Sequence, residues 1–130
     1  MQLTVTTILY GLPTGQRTFQ TRLTLPTETV TVQELIAYKI RQEIAEYTAK
    51  QRPCLSGEYL PPEVLLSALA AGGYQPGAVA AEIARAQQAF AARAFMIIID
   101  NRRITNAEEV LALHPETRVE FIKILPLVGG

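Results

Sequence analysis

The residues best suited to do chemistry are Gly129 and Gly130, which close the sequence behind Pro126, Leu127 and Val128. An apolar, strand-like run over residues 119–125 leads straight into them. Chain ends ordinarily fray into polar tails. Glycine lacks a Cβ, so a Gly-Gly end can pass extended through a channel that any side chain would block. An unbranched α-carbon also leaves the terminal carbonyl open to a nucleophile. At the usual glycine frequency of about 7 %, two specified terminal glycines arise by chance in well under ~1 % of chains. The chemistry that suits this pattern is acyl transfer at Gly130, with Gly129 supplying steric access. Gly130 is then a substrate rather than a catalyst. The alternative is a flexible end with no chemistry.

Other reactive side chains are sparse. Cys54 lies in a proline-flanked loop, near Arg52 in sequence, and nothing brings the single histidine, His114, beside it. A nucleophilic cysteine needs an electropositive setting and usually a base, so Cys54 reads as structural or incidental. His114 precedes Pro115 in a turn and reads as a surface residue. One Cys and one His do not make a conventional zinc site within one chain. Arg102 and Arg103 fit a solvated turn, or a contact with an acidic partner. Glu108 and Glu109 read as a helix-start pair favoured by the helix dipole. The chain has three lysines, Lys39, Lys50 and Lys123, of which Lys50 beside a loop is expected to be the most accessible.

Composition narrows the field. At 130 residues the chain suits one domain with a real core. Its 48 % apolar content argues for a globular fold. Lys+Arg and Asp+Glu balance at 12 each, so no net field favours nucleic acid or anionic lipid. No apolar run approaches the length of a membrane span. The alternating start over residues 1–10 is unlike a signal peptide. A lone cysteine excludes an internal disulfide and suits a reducing compartment, so the expected location is cytoplasmic.

The elements that must present the tail are legible from periodicity. Residues 2–9 alternate, with Leu3, Val5 and Leu9 opposite Thr4 and Thr6, as a half-buried strand. Residues 17–25 alternate again, and the turn-rich 11–15 makes the two an antiparallel hairpin. Thr31 and Glu34 form a capping box that opens an amphipathic helix over residues 32–49, with Leu35, Ile36, Ile40 and Ile44 on its apolar face. Residues 50–93 differ in character: a loop, a short helix over 63–71 ended by Gly72-Gly73, and an alanine-rich helix from Pro76 to about Arg93. Strand character returns at 95–99. Asp100-Asn101 turns the chain into a short strand near Arg103-Ile104. Residues 106–111 suit one helical turn, and 118–125 form the last strand. This order predicts an α+β domain with a helix covering one sheet face.

That order, with a strand feeding Gly-Gly, resembles the β-grasp fold of ubiquitin-like proteins, a mixed sheet packed on one main helix. The closest local similarity is to the small sulfur carriers, the molybdopterin synthase small subunit and its thiamin-pathway counterpart. The residues that carry it are the turn 114–117, Val119-Glu120-Phe121, and the tail Pro126 to Gly130; Ile99-Asp100-Asn101 looks like the family's Val-Asn turn. The likeness spans residues 1–49 and 94–130. Leu125 stands where the carriers often have a first proline, and residues 50–93 are an insertion without counterpart in them. That insertion looks more like the divergent ubiquitin-like proteins encoded in bacterial conjugation operons beside E1-like and E2-like enzymes.

The resemblance implies a protein modifier rather than an enzyme. Its Gly130 would be adenylated by an E1-like activating enzyme using Mg-ATP, then passed, through an E2-like protein, to target proteins. A deconjugating protease would complete the set of partners, and no cofactor would be bound by the chain itself. Pro126, Leu127, Val128 and Gly129 would form the tail that the activating enzyme reads. Two further readings stand beside it: a sulfur carrier whose Gly130 becomes a thiocarboxylate, and a non-covalent β-grasp adaptor. The run 95–99 is apolar on both faces, and one helix covers only one. Either the insertion folds over the second face, which is the leading expectation, or a partner or second copy does. The candidate partner surface comprises Met96, Ile98, Arg102, Arg103, Ile122 and Ile124.

Overall fold

The computed structural model describes residues 1–50 and 56–126, with the backbone alone at Lys50. Two strands, β1 (Gln2–Leu12) and β2 (Gly15–Thr24), form the opening hairpin in antiparallel register. A short strand, β3 (Thr29–Thr31), leads into α1 (Val32–Lys50). Two further helices, α2 (Pro62–Ala70) and α3 (Val79–Ala91), follow. The chain then returns through β4 (Met96–Ile99), β5 (Arg102–Ile104), β6 (Val110–Ala112) and β7 (Val119–Ile124). The main sheet has the order β2-β1-β7-β4-β5, with β7 parallel to β1 at its centre; β3 and β6 make a separate two-stranded pair. The fold is therefore α+β, with a mixed five-stranded sheet and three helices among the described residues.

Local chemistry explains the boundaries of α1. The Glu34 carboxylate accepts the Thr31 N–H at 2.9 Å, and the Thr31 hydroxyl accepts the Glu34 N–H at 3.1 Å. This reciprocal cap satisfies two groups at the helix start. Two more N–H groups of the first turn, from Val32 and Gln33, are accepted by the carbonyls of Glu109 and Ala107. That demand corrects the expectation of a helical turn over 106–111. Residues 107–112 instead lie extended or turned against the start of α1, and Val110–Ala112 pairs with β3. Glu108 and Glu109 are accordingly not a helix-start pair: the Glu108 N–H is accepted by the Asn106 side chain, and Glu109 is ion-paired to Arg102.

The other helices end as their residues dictate. Gly72 takes φ +95° after α2, and the Gly73 N–H reaches back to the Ala68 carbonyl at 2.8 Å. The alanine-rich helix begins at Val79 rather than Pro76, because Ala78 is still extended at ψ 140°. It stops with Arg93 left-handed at φ 62°.

Side-chain alternation separates the sheet into two faces. The inner face carries Leu3, Val5, Thr7 and Leu9 of β1, Ile97 and Ile99 of β4, and Val119, Phe121 and Lys123 of β7, all buried. Not only α1 but the buried residues of the insertion pack on this side. Phe90 of α3 meets Phe95, which stacks on Phe121 at 5.6 Å between centroids. Tyr59, Leu60, Leu65 and Ala86 join the same core. The insertion therefore widens the layer that α1 begins and does not cross to the outer face, contrary to the leading expectation above.

The insertion is integral to that core. Deleting residues 52–92 removes the aromatic contact on Phe95 and strips cover from the inner face. The shortened chain is expected to expose apolar surface and aggregate in size-exclusion chromatography. An unchanged monomer with a cooperative unfolding transition would contradict this.

Candidate functional site

The tail leaves the sheet at a defined place. The Leu125 N–H donates to the Tyr10 carbonyl at 2.9 Å, one step beyond the last residue of β7. Beside it, Gly11 takes φ +84°, and a Cβ placed there would stand 2.5 Å from the Leu125 carbonyl oxygen. Only glycine allows the two backbones to approach so closely. Leu125 is buried and Pro126 is exposed. Proline has no N–H to continue the ladder, so regular pairing stops there. The sequence-predicted tail residues Leu127, Val128, Gly129 and Gly130 lie outside the described residues, as does Cys54.

The outer face is the second part of the site. Register brings Ile8, Ile122 and Met96 side by side across β1, β7 and β4. Tyr10 and Ile124 form the next row toward the tail, and Ile124 is 61 % exposed. Ile98 sits on the same face with Arg103 opposite it on β5. Met96, Ile98 and Ile122 are each half-buried. Five of the six predicted surface residues thus share one face. Arg102 does not: it pairs with Ile99 of the inner face, and its guanidinium is bidentate to Glu109. His114 is exposed and fixes its own turn, its Nδ1 accepting the Glu116 N–H at 3.0 Å.

A buried ionic cluster was not legible from the sequence. Lys39 of α1 is fully buried, its Nζ 5.0 Å above the Phe121 ring centroid. It donates to Glu43 one turn on, to Glu58 at 2.8 Å and to the Ser56 hydroxyl at 3.0 Å. The Ser56 hydroxyl also lies 2.9 Å from Glu43 and 2.8 Å from Glu58. One hydroxyl proton cannot serve two carboxylates at once. Burial raises the Glu43 pKa, reinforced by the Glu58 charge against the pull of Lys39. Burial disfavours the Lys39 charge, but Glu43 and Glu58 outweigh it and hold its pKa above the ordinary value.

Ser56 and Lys39 are therefore close enough to suggest a nucleophile and its base, but Lys39 is held charged and has no lone pair to offer. Both groups are also shut inside the core. A cleft of about 50 Å³ beside Glu43 and Ser56 has room for water, not for a substrate. The cluster is a structural clamp. A second clamp ties the insertion to itself: buried Glu82 accepts from Tyr59 at 3.2 Å and Tyr74 at 2.9 Å and is ion-paired to Arg85. Lys123, also buried, donates to the Leu60 carbonyl at 3.1 Å. Lys39 and Lys123 are thus occupied in the fold and unavailable to a partner.

No protein family, curated protein or solved structure matches this chain. The site is read from its own geometry. Among the described residues, no group of three His, Cys, Asp or Glu could hold a metal ion, and no helix is long and apolar enough to cross a membrane.

Two substitutions test these assignments. Lys39→Met leaves Glu43 and Glu58 buried without their cation, at an expected cost of about 3–5 kcal/mol near pH 7. Glu43 then has a folded pKa raised still further, so the folded state binds more protons than the unfolded one. Stability must rise as pH falls, and urea midpoints should be higher at pH 5 than at pH 7.5. Gly11→Ala should speed amide exchange at Leu125 and cost about 1–3 kcal/mol. Gly15→Ala, at φ +103° with nothing within 4 Å, should leave exchange at Leu125 unchanged.

Proposed function

We propose that this chain is a ubiquitin-like β-grasp modifier that reacts through the carboxyl of Gly130. The observation that carries the reading is the placement of the tail. The last strand lies parallel to the first at the centre of the sheet, and Leu125 is held by Tyr10 one residue before an exposed proline. The residues that follow in sequence, Leu127, Val128, Gly129 and Gly130, then start from a rigid base. A carboxylate resists attack because charge must build on a group already negative. Adenylation by an E1-like enzyme with Mg-ATP supplies the missing leaving group, and the acyl group passes to a cysteine, then to an amine or hydroxyl of a target. Cleavage of a longer precursor after Gly130 would expose the same carboxylate.

The half-buried apolar rows of the outer face support a protein partner on that side, next to the tail root. The insertion is compatible with the same reading, since its buried residues join the core on the inner side. A sulfur carrier is the second reading. It is favoured by the run Pro126-Leu127-Val128-Gly129-Gly130, and it differs only in what attacks the adenylate: sulfide in place of a protein cysteine. A non-covalent adaptor would use the outer face without the glycines.

The three readings part in one experiment. The chain is incubated with an E1-like activating enzyme and Mg-ATP, and the product is examined by intact mass spectrometry. A protein adduct is expected for the modifier, and exchange of one oxygen for sulfur for the carrier. A variant lacking Gly129 and Gly130 should unfold at the wild-type urea midpoint and give neither product. An unchanged mass with an active cognate enzyme would leave only the adaptor.

A further inference from the structure

The buried cluster between α1 and the start of the insertion is one proton short. The Lys39 ammonium directs its three N–H bonds at Glu43 Oε1, at Glu58 Oε1 2.8 Å away and at Ser56 Oγ 3.0 Å away. Ser56 Oγ also lies 3.0 and 2.9 Å from the two carboxyl oxygens of Glu43 and 2.8 Å from Glu58 Oε2. Its single hydroxyl proton can point at only one of those two side chains. With both ionised, the other contact sets two oxygens against each other with no hydrogen between them, and the cluster keeps an uncompensated negative charge in the core. We propose that Glu43 carries the missing proton at neutral pH, and that this buried proton helps join α1 to the insertion. On that assignment Glu43 Oε2–H donates to Ser56 Oγ, and Ser56 Oγ–H donates to Glu58 Oε2. Each pair in contact then has a hydrogen between its members, and the charge of Lys39 is matched by that of Glu58.

The surroundings favour Glu43 as the carrier. From β2 only the Thr21 hydroxyl reaches it, at 3.5 Å, and from α1 Glu46 and Tyr47 line the same small cleft. The second buried cation, Lys123 of β7, interacts with Glu58 and so supports the charge there. The Tyr59 hydroxyl, the next polar group of the insertion, is engaged by Glu82. Burial acts in the same direction and raises the Glu43 pKa. The water-sized cleft beside Glu43 and Ser56 gives the proton a way in and out. A proton held by folded Glu43 and released on unfolding makes stability fall as pH rises, from the ordinary carboxylate range up to the folded pKa. Within that window the unfolding constant should rise by up to about tenfold per pH unit. Glu34 and Glu109 are held below the ordinary value by Thr31 and Arg102, so they act with the opposite sign and only on the acid side. Lys123, lowered by burial, also has the opposite sign and acts on the alkaline side. Gly130 takes no part, so the proton can be absent while the modifier reading stands, and the reverse.

NMR of the full chain with carbon-13 in the glutamate carboxyls, followed from pH 5 to pH 9, tests the proposal. The Glu43 carboxyl is expected in its protonated form at pH 7 and should ionise only at higher pH, with Glu58 ionised at pH 7. Urea titrations of the same protein should show the unfolding constant rising between pH 6 and pH 8. Glu43→Gln puts an amide donor where the acid proton stood; it should keep the wild-type urea midpoint at pH 6 and lose that rise. A Glu43 carboxyl already ionised at pH 6, a proton found on Glu58 instead, or a slope that survives Glu43→Gln would each overturn the proposal. If Glu43→Gln does not fold, the carboxyl titration of the wild-type chain decides by itself.

Discussion

The architecture turns on a lysine ammonium buried beneath the sheet. Lys39 sits in the apolar row of α1 and over the ring of Phe121, where an unpaired charge would be costly. Its own helix supplies one carboxylate, Glu43, one turn away. The remaining partners, Ser56 and Glu58, come from the start of the insertion. Satisfying Lys39 therefore holds Ser56 and Glu58 against α1. A cluster of this kind contributes less to net stability than its short contacts suggest, because each charge is also desolvated. Its larger effect is on specificity: removing Lys39 leaves two carboxylates buried without their cation.

This clamp accounts for the asymmetry between the two sheet faces. With Ser56 and Glu58 held near Phe121, α2 and α3 can reach the core only on the inner side. Phe90 then extends the aromatic row through Phe95 to Phe121, and Lys123 finds the Leu60 carbonyl. The outer face keeps Met96, Ile98 and Ile122 half-covered and Ile124 open. The tail root lies at one end of that face. One buried interaction thus sets the surface beside the last described residues.

Much of the framework was legible where a local rule acts alone. The Thr31–Glu34 cap, the opening hairpin and the Asp100-Asn101 turn appear where the residues place them, and both turn residues adopt positive φ. The helices of the insertion were legible in kind, with α3 starting three residues later than Pro76 suggested. Residues 106–111 were misread because their composition suits a helical turn. Their backbone is instead committed to β3 and to the open N–H groups of α1, a demand that no local window contains. Lys39 carried a faint signal: with Glu43 it continues the four-residue row that begins at Leu35. On an isolated helix the same spacing describes an ordinary exposed ion pair.

The sequence by itself determined the types of the longer elements, the alternation that divides the sheet into two faces, and the apolar tail ending in two glycines. Those properties depend on neighbours within a few residues. Tertiary structure alone decided that the insertion thickens the inner layer, that Arg102 serves Glu109 rather than the outer face, and that two of the three lysines are enclosed. Each of those outcomes rests on pairing charges or backbone groups distant in sequence, and only the closed fold brings such partners within a few ångströms of one another.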